Sequence, residues 1–499
     1  MADPHVPAVG PAARGLGTTA GTYTLREMHP AVRAAAAIAV SVILLGTGLS
    51  RAAAQDKPPE APPAPPPAAP EFTPPKILAQ RRKGLKEKDA SAAVAAGLGW
   101  LRRHQAADGR WDADGFPGAC AAAACANPGF ESYDVGVTAL ATLAFLGAGQ
   151  THVEGPDADV VARALTFLVG VQDSNGCVGP MSDRHFVYGH SLATMALAEA
   201  LWLTGDAKLT APASRARDFL HEAQNPYLGW RYCMPFGRKD GDNDSSVTAY
   251  AVTAIRTCEF AGLDVDRSVY AGALAWFGKM SDKDSGRVGY QQRGGPDARC
   301  RIAASHRVPE PEPEPRAPPT KPGGPHTPVP RPVPTIDPGP VHTDAGLQQS
   351  ASGSFRDDRC SALTAAAAAA TTLSGRADAA ALVNRWSAVL SLVPPSASRA
   401  GYVDLHYLHF GSLFHAQRTL DVKPQDADDR KVWRPWRDAV VADLTAAQCA
   451  AGAGCAAGSW NADLDPFGAV GGRVYSTAMA LLALQAPNRF PKVWDPRRK

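Results

Sequence analysis

The chain has 499 residues, 45% of them apolar, which is enough for a large core, and its aromatic content is only 7%. Alanine runs recur throughout, which favours helices over sheets. The formal charge is +3, with no long basic stripe, so nucleic acid is excluded as a natural partner.

In chain order, the first recognisable element is a targeting segment. Arg33 precedes an apolar stretch from Ala34 to Leu49, then Ser50-Arg51 and Ala52-Ala53-Ala54. This is the layout of a signal peptide with a small-residue cleavage site, and Met28 is the start that gives it ordinary proportions. The apolar run falls short of the ~20 residues that span a bilayer comfortably. Residues 1–54 are therefore read as a signal peptide, with an uncleaved membrane anchor as the alternative. Either way the chain is exported: periplasmic, secreted or membrane-tethered.

Residues 55–85 read as a Pro/Ala linker, extended and semi-rigid between Pro58 and Pro75. A toroid part follows over 86–307. A second Pro-rich stretch, Val308 to Val341, has nothing to bury, so 308–350 is read as a disordered surface insert. The toroid resumes over 351–499.

Within the toroid parts one pattern recurs. An amphipathic helix ends near a Gln, a Gly-containing turn with an aromatic follows, and then comes a helix of small residues. The copies are Ala92–Gln105 with Val135–Leu146, Val160–Gln172 with Ser191–Leu203, and Ala213–Gln224 with Ser246–Ala261. Then come Arg267–Met280 with Ser361–Leu373 across the insert, Ala377–Leu392 with Tyr402–Gln417, and Trp436–Gln448 with Val474–Leu484. A single helix pair cannot bury its own apolar face, so pairs must stack. Small-residue helices suit an inner ring, and helices bearing Arg102, Arg103, Arg215 and Arg217 suit an outer one. The fold class is therefore all-α, an (α/α)6 toroid. Its inner helices point their N-termini at one mouth, where free amides and positive partial charge favour a ligand.

The segment Gly97-Leu98-Gly99-Trp100-Leu101…Gln105…Asp108-Gly109-Arg110-Trp111 resembles the repeat of prenyltransferase β-subunits and squalene–hopene cyclases. Gln224/Trp230 and Gln448/Trp460 repeat the pairing; Gln172 keeps only the Gln, and the fourth copy keeps glycine and Tyr290. The blocks around Asp244–Ala249 and Gly471–Ala478 resemble an exported bacterial subset of this terpenoid cyclase-like group. The resemblance implies a toroid whose Gln and Trp tie outer helices together. For activity it is weak, because this fold hosts enzymes, thioester proteins and binders.

Three constellations are candidates for chemistry. Asp240-Gly241-Asp242-Asn243-Asp244-Ser245 resembles the cyclase Asp-x-Asp-Asp motif, whose middle carboxyl protonates an alkene, but Asn or Ser stands at its last position. The competing role for Asp244 or Ser245 is a helix cap. Cyclases also line their cavity with aromatics, whereas these inner helices are mostly Ala, Thr and Leu. Asp358-Arg359-Cys360 with His406 resembles the catalytic zinc set of prenyltransferases; otherwise no cofactor is expected. Gly189-His190-Ser191 approaches a nucleophile elbow, which needs a strand before it.

Residues preceding or opening the inner helices form a candidate ligand site: Tyr133, Asp134, His185, Tyr188, His190, Tyr402, Asp404, His409, Arg473 and Tyr475. The ligand or partner, whether small molecule, lipid or protein, stays open. Nine cysteines in an exported chain admit disulfides, with Cys120–Cys125, Cys449–Cys455, Cys300–Cys360 and Cys233–Cys258 as possible pairs and Cys177 left over. Buried free thiols are the alternative.

Overall fold

The computed structural model describes residues 74–84, 88–120, 124–183, 185–226, 228–232, 234–235, 243–290, 293–294, 361–395, 403–419, 427–465 and 467–495. The expected signal segment and Pro-rich insert lie outside them. Among the described residues there are thirteen α-helices and only isolated β-bridges. No helix there is long and apolar enough to cross a membrane.

α1 (Pro74–Gly84) stands before the repeats. The six pairs are α2 (Lys88–Arg103) with α3 (Asp134–Gly147), α4 (Ala158–Gly170) with α5 (Phe186–Thr204), and α6 (Thr210–Glu222) with α7 (Ser245–Phe260). They continue as α8 (Ser268–Met280) with α9 (Ala362–Ser374), α10 (Ala380–Leu392) with α11 (Leu405–Thr419), and α12 (Ala427–Ala447) with α13 (Gly468–Arg489). Helices α3, α5, α7, α9, α11 and α13 pack in that order, and α13 packs back on α3, closing an inner ring. The other members of the pairs lie outside it.

Side-chain size explains the two layers. Every residue of α9, including Ala365–Ala370, is buried, and so is α3 from Val135 to Gly147. Helices with neighbours on all sides must be narrow to pack at interior density. An outer helix such as α4 buries one stripe only: Val160, Val161, Ala164, Leu165 and Leu168.

In four of the six repeats the turn locks adjacent pairs together. Gln105 Nε2 donates to Gly109 O at 2.9 Å and to Val160 O of α4 at 2.9 Å. Gln172 does the same to Gly176 O and Pro212 O, and Gln224 to Leu228 O and Val269 O. Gln448 closes the ring, donating to Gly458 O and to Ala93 O of α2. Gly109 has φ 95°, and a Cβ there would sit 2.3 Å from Arg163 O, so both conformation and contact demand glycine. Gly458 meets Ala96 O in the same way at the closure.

The structure departs from the sequence reading in four places. Pro74–Gly84, within the stretch read as linker, is helical because Ile77, Leu78 and Arg81 bury against the ring. α5 starts at Phe186, five residues before Ser191, so no strand precedes Ser191 and the elbow is ruled out; Ser191 is fully buried inside the helix. α12 begins nine residues before Trp436 and carries Pro435 inside it. α13 begins at Gly468 and breaks at Gly472, where φ is 68° and the backbone of Gly129 leaves no room for a side chain.

Candidate functional site

The N-terminal ends of the inner helices surround a cavity of about 100 Å³. α3 contributes Gly136, Val137 and Leu140, with Tyr133 just before it. α5 and the residue preceding it supply His185, Tyr188, Gly189 and Leu192. Tyr250 comes from α7, His406 from α11, and Val470, Gly471 and Tyr475 from α13, with Phe467 at its start. A smaller pocket continues between α3 and α5 and reaches Ser132 and Asp183.

Seven of the lining residues are aromatic or imidazole, and Tyr133, His185, Tyr188, His406 and Tyr475 among them are residues that the sequence had singled out. Each helix contributes one or two near its start, while Ala, Thr and Leu fill most of the rest. Tyr250 and Phe467 lay outside the sequence-based site; the signal for Tyr250 was a lone large aromatic among the small residues of α7.

Polar pairs fix the orientation of these rings. Tyr133 Oη and His185 Nδ1 are 2.6 Å apart. Tyr250 Oη and His406 Nε2 are 2.9 Å apart. His185 packs edge-on against Tyr232, with centroids 4.4 Å apart. Tyr188 Oη bonds to Ser246 Oγ, which donates to Asp244 Oδ1 at 2.6 Å. Burial, with the nearby Asp244 charge, raises the Tyr188 pKa well above its ordinary value. The phenol is thus a neutral hydrogen-bonding group at physiological pH.

Asp244 itself is fully buried and caps α7, accepting from Ser246 N at 2.7 Å and Val247 N at 3.1 Å. Arg231 NH1 lies 3.4 Å from its other oxygen. Asp242, Tyr402, Asp358 and Cys360 lie outside the described residues. Among the described ones, no cysteine or carboxylate joins His406 in a metal-spaced group.

Of the sequence-predicted ligand residues, Tyr133, His185, Tyr188 and Tyr475 line the cavity, as does His406. The others have different partners. His190 accepts from Val178 N and bonds to Ala216 O, and burial lowers its pKa to about 4. His409 lies deeper along α11, where burial and the Arg489 charge lower its pKa to about 3. Asp404 caps α11 through Tyr407 N. Arg473 binds Ala126 O, Asn127, Ser459 and Cys449, fastening one loop to another.

Asp134 stands behind the cavity wall, accepting from Ala113 N at 2.8 Å beside Arg110. Burial first, then the Asp112 and Asp114 charges, raise its pKa to about 6 despite Ala113 N–H and Arg110. A carboxyl with a folded pKa above its unfolded value holds its proton better when folded. Its stabilising contribution is full below about pH 4 and is lost as pH rises through about 6. Asp134→Asn is expected to flatten the pH dependence of Tm across pH 4–6. An unchanged profile would show that another group titrates there.

No protein-family model and no curated protein sequence matches the chain. Among solved structures, the chain is similar to an inactive variant of alpha-1,6-mannanase, GH76A of Salegentibacter sp. HEL1_6, in complex with alpha-1,6-mannotriose. The identity is 10%, the TM-score 0.45, and the match covers 83% of this chain and 98% of that one. The ring described above rests on this chain's own helix packing.

Proposed function

We propose that this chain is an exported binding toroid of the prenyltransferase/squalene–hopene cyclase repeat type, holding a compact small molecule at the mouth of its inner ring. The observation that carries the reading is the cavity itself. Tyr133, His185, Tyr188, Tyr250, His406, Phe467 and Tyr475 converge there on the N-terminal ends of the inner helices. Aromatic faces favour an apolar ring face or a cation, and the phenol and imidazole edges give hydrogen bonds that fix orientation.

The chemistry of the wall suits binding. Among the described residues lining the main cavity are phenols, imidazoles and apolar side chains, which grip a ring face and fix its orientation. Asp244, the candidate acid, spends its oxygens on two helix amides, Ser246 and Arg231.

The test is a thermal-shift screen of residues 55–499 against small cyclic molecules, neutral and cationic. A ligand at one hundred times its Kd adds about 2.7 kcal/mol to stability. Leu140→Phe should project into the cavity, leave the unliganded Tm nearly unchanged, and abolish the shift. A ligand whose shift survives Leu140→Phe binds elsewhere and overturns the assignment.

A further inference from the structure

Away from the cavity, four side chains from distant parts of the chain meet at the seam of the ring. His104 follows α2. Cys120 and Cys125 belong to the loop between α2 and α3, and Cys455 belongs to the loop between α12 and α13. One nitrogen and three sulfurs lie within 4.8 Å of one another. We propose that they form a structural zinc site that fastens the last repeat to the first.

The three nitrogen-to-sulfur edges match those of a tetrahedral cage. His104 Nε2 lies 3.5 Å from Cys120 Sγ, 3.7 Å from Cys125 Sγ and 3.3 Å from Cys455 Sγ. Zinc bonds of about 2.3 Å to sulfur and 2.0 Å to nitrogen set tetrahedral edges of roughly 3.5 Å. The imidazole is oriented for this task. Its other nitrogen, Nδ1, is 2.8 Å from Trp100 O, so Nδ1–H donates to the carbonyl and the Nε2 lone pair faces the sulfurs. Trp100 stacks on the ring at 4.1 Å and Phe116 closes its edge.

Donors and positive charge face the sulfurs. Cys125 N donates to Cys120 Sγ at 3.3 Å. Arg473, bonded to Ala126 O beside Cys125, supplies positive charge against a site with three thiolates. His104 and Cys125 are buried while Cys120 and Cys455 are partly exposed, which gives the ion a way in. Four protein ligands leave no open position, so the role is structural. On binding, zinc displaces three thiol protons to solvent and changes no oxidation state.

The competing state is a disulfide between two of these cysteines. In the structure Cys120, Cys125, Cys449 and Cys455 are all free thiols, the alternative to the Cys120–Cys125 and Cys449–Cys455 pairs. Elemental analysis of the purified chain, residues 55–499, should find one zinc per chain, lost in Cys455→Ser and in His104→Ala. Chelation should lower Tm by several degrees, and zinc should restore it. If either variant fails to fold, cobalt substitution of the unaltered chain decides: intense tetrahedral d–d bands with sulfur-to-cobalt charge transfer support the site. A mapped disulfide within the cluster, zinc retained in both variants, or an octahedral cobalt spectrum overturns it.

Discussion

Replacing Glu199 by alanine is expected to cost about 3–5 kcal/mol, because it strands two buried guanidinium groups. Glu199 lies in α5 with no exposed surface. Arg81 of α1 reaches its Oε1 at 2.7 Å, and Arg489 of α13 reaches its Oε2 at 2.6 Å. The Arg81 and Arg489 side chains are 0% and 2% exposed. Both arginines also cap the C-terminal end of α3: Arg81 donates to Leu146 O and Arg489 to Leu143 O. Inner helices with N-termini at the cavity bring their C-terminal carbonyls to the opposite end, where cations are favoured. Burial already lowers the Arg489 pKa to about 10 against the pull of Glu199. Urea unfolding should show the loss as a lower midpoint. Removing all three charges together, with Arg81→Met, Glu199→Leu and Arg489→Met, should cost less than Glu199→Ala alone. A change below about 1 kcal/mol for Glu199→Ala would show that water reaches the cluster.

The second large effect is expected at the repeat tryptophans. Trp111, Trp230 and Trp460 are almost fully buried, and each Nε1 donates to a carbonyl of its own outer helix: Leu101, Leu220 and Leu444. Trp230→Ala should cost about 3–5 kcal/mol, from lost transfer energy and the cavity left behind. Gln224→Ala should cost about 1–2 kcal/mol, since it removes two amide donations and little volume. Equal losses at the two positions would contradict this division between packing and tethering. Both are read by chemical denaturation, with ligand binding at the mouth as the check that the ring persists.

The repeat is legible in the chain's own residues. Gln105, Gln172, Gln224 and Gln448, their glycines, and the tryptophans follow local rules, because each acts within a turn or on the next helix. Alanine-rich stretches such as 365–370 marked inner helices, since only narrow side chains permit burial on every side. Tyr133, His185, Tyr188 and Tyr475 were legible as site residues for the same reason: they stand before or within the inner helices.

Which polar residues face the cavity and which pair elsewhere depends on how distant helices pack. His190 and Arg473 stand at similar places in the pattern, yet the Val178 and Ala216 backbone claims His190, and Ala126, Asn127 and Ser459 claim Arg473. Tyr250 joins the site because α11 places His406 against it. The buried Arg81–Glu199–Arg489 cluster joins residues up to 408 positions apart, a separation no local pattern encodes. The cysteines show the limit most clearly. Spacing within one loop favoured Cys120 with Cys125 as a pair. Ring closure brings Cys455 and His104 to the same point, because α12 and α13 return to α2 and α3. Composition and periodicity specify the helices; the closure of the ring specifies which side chains meet.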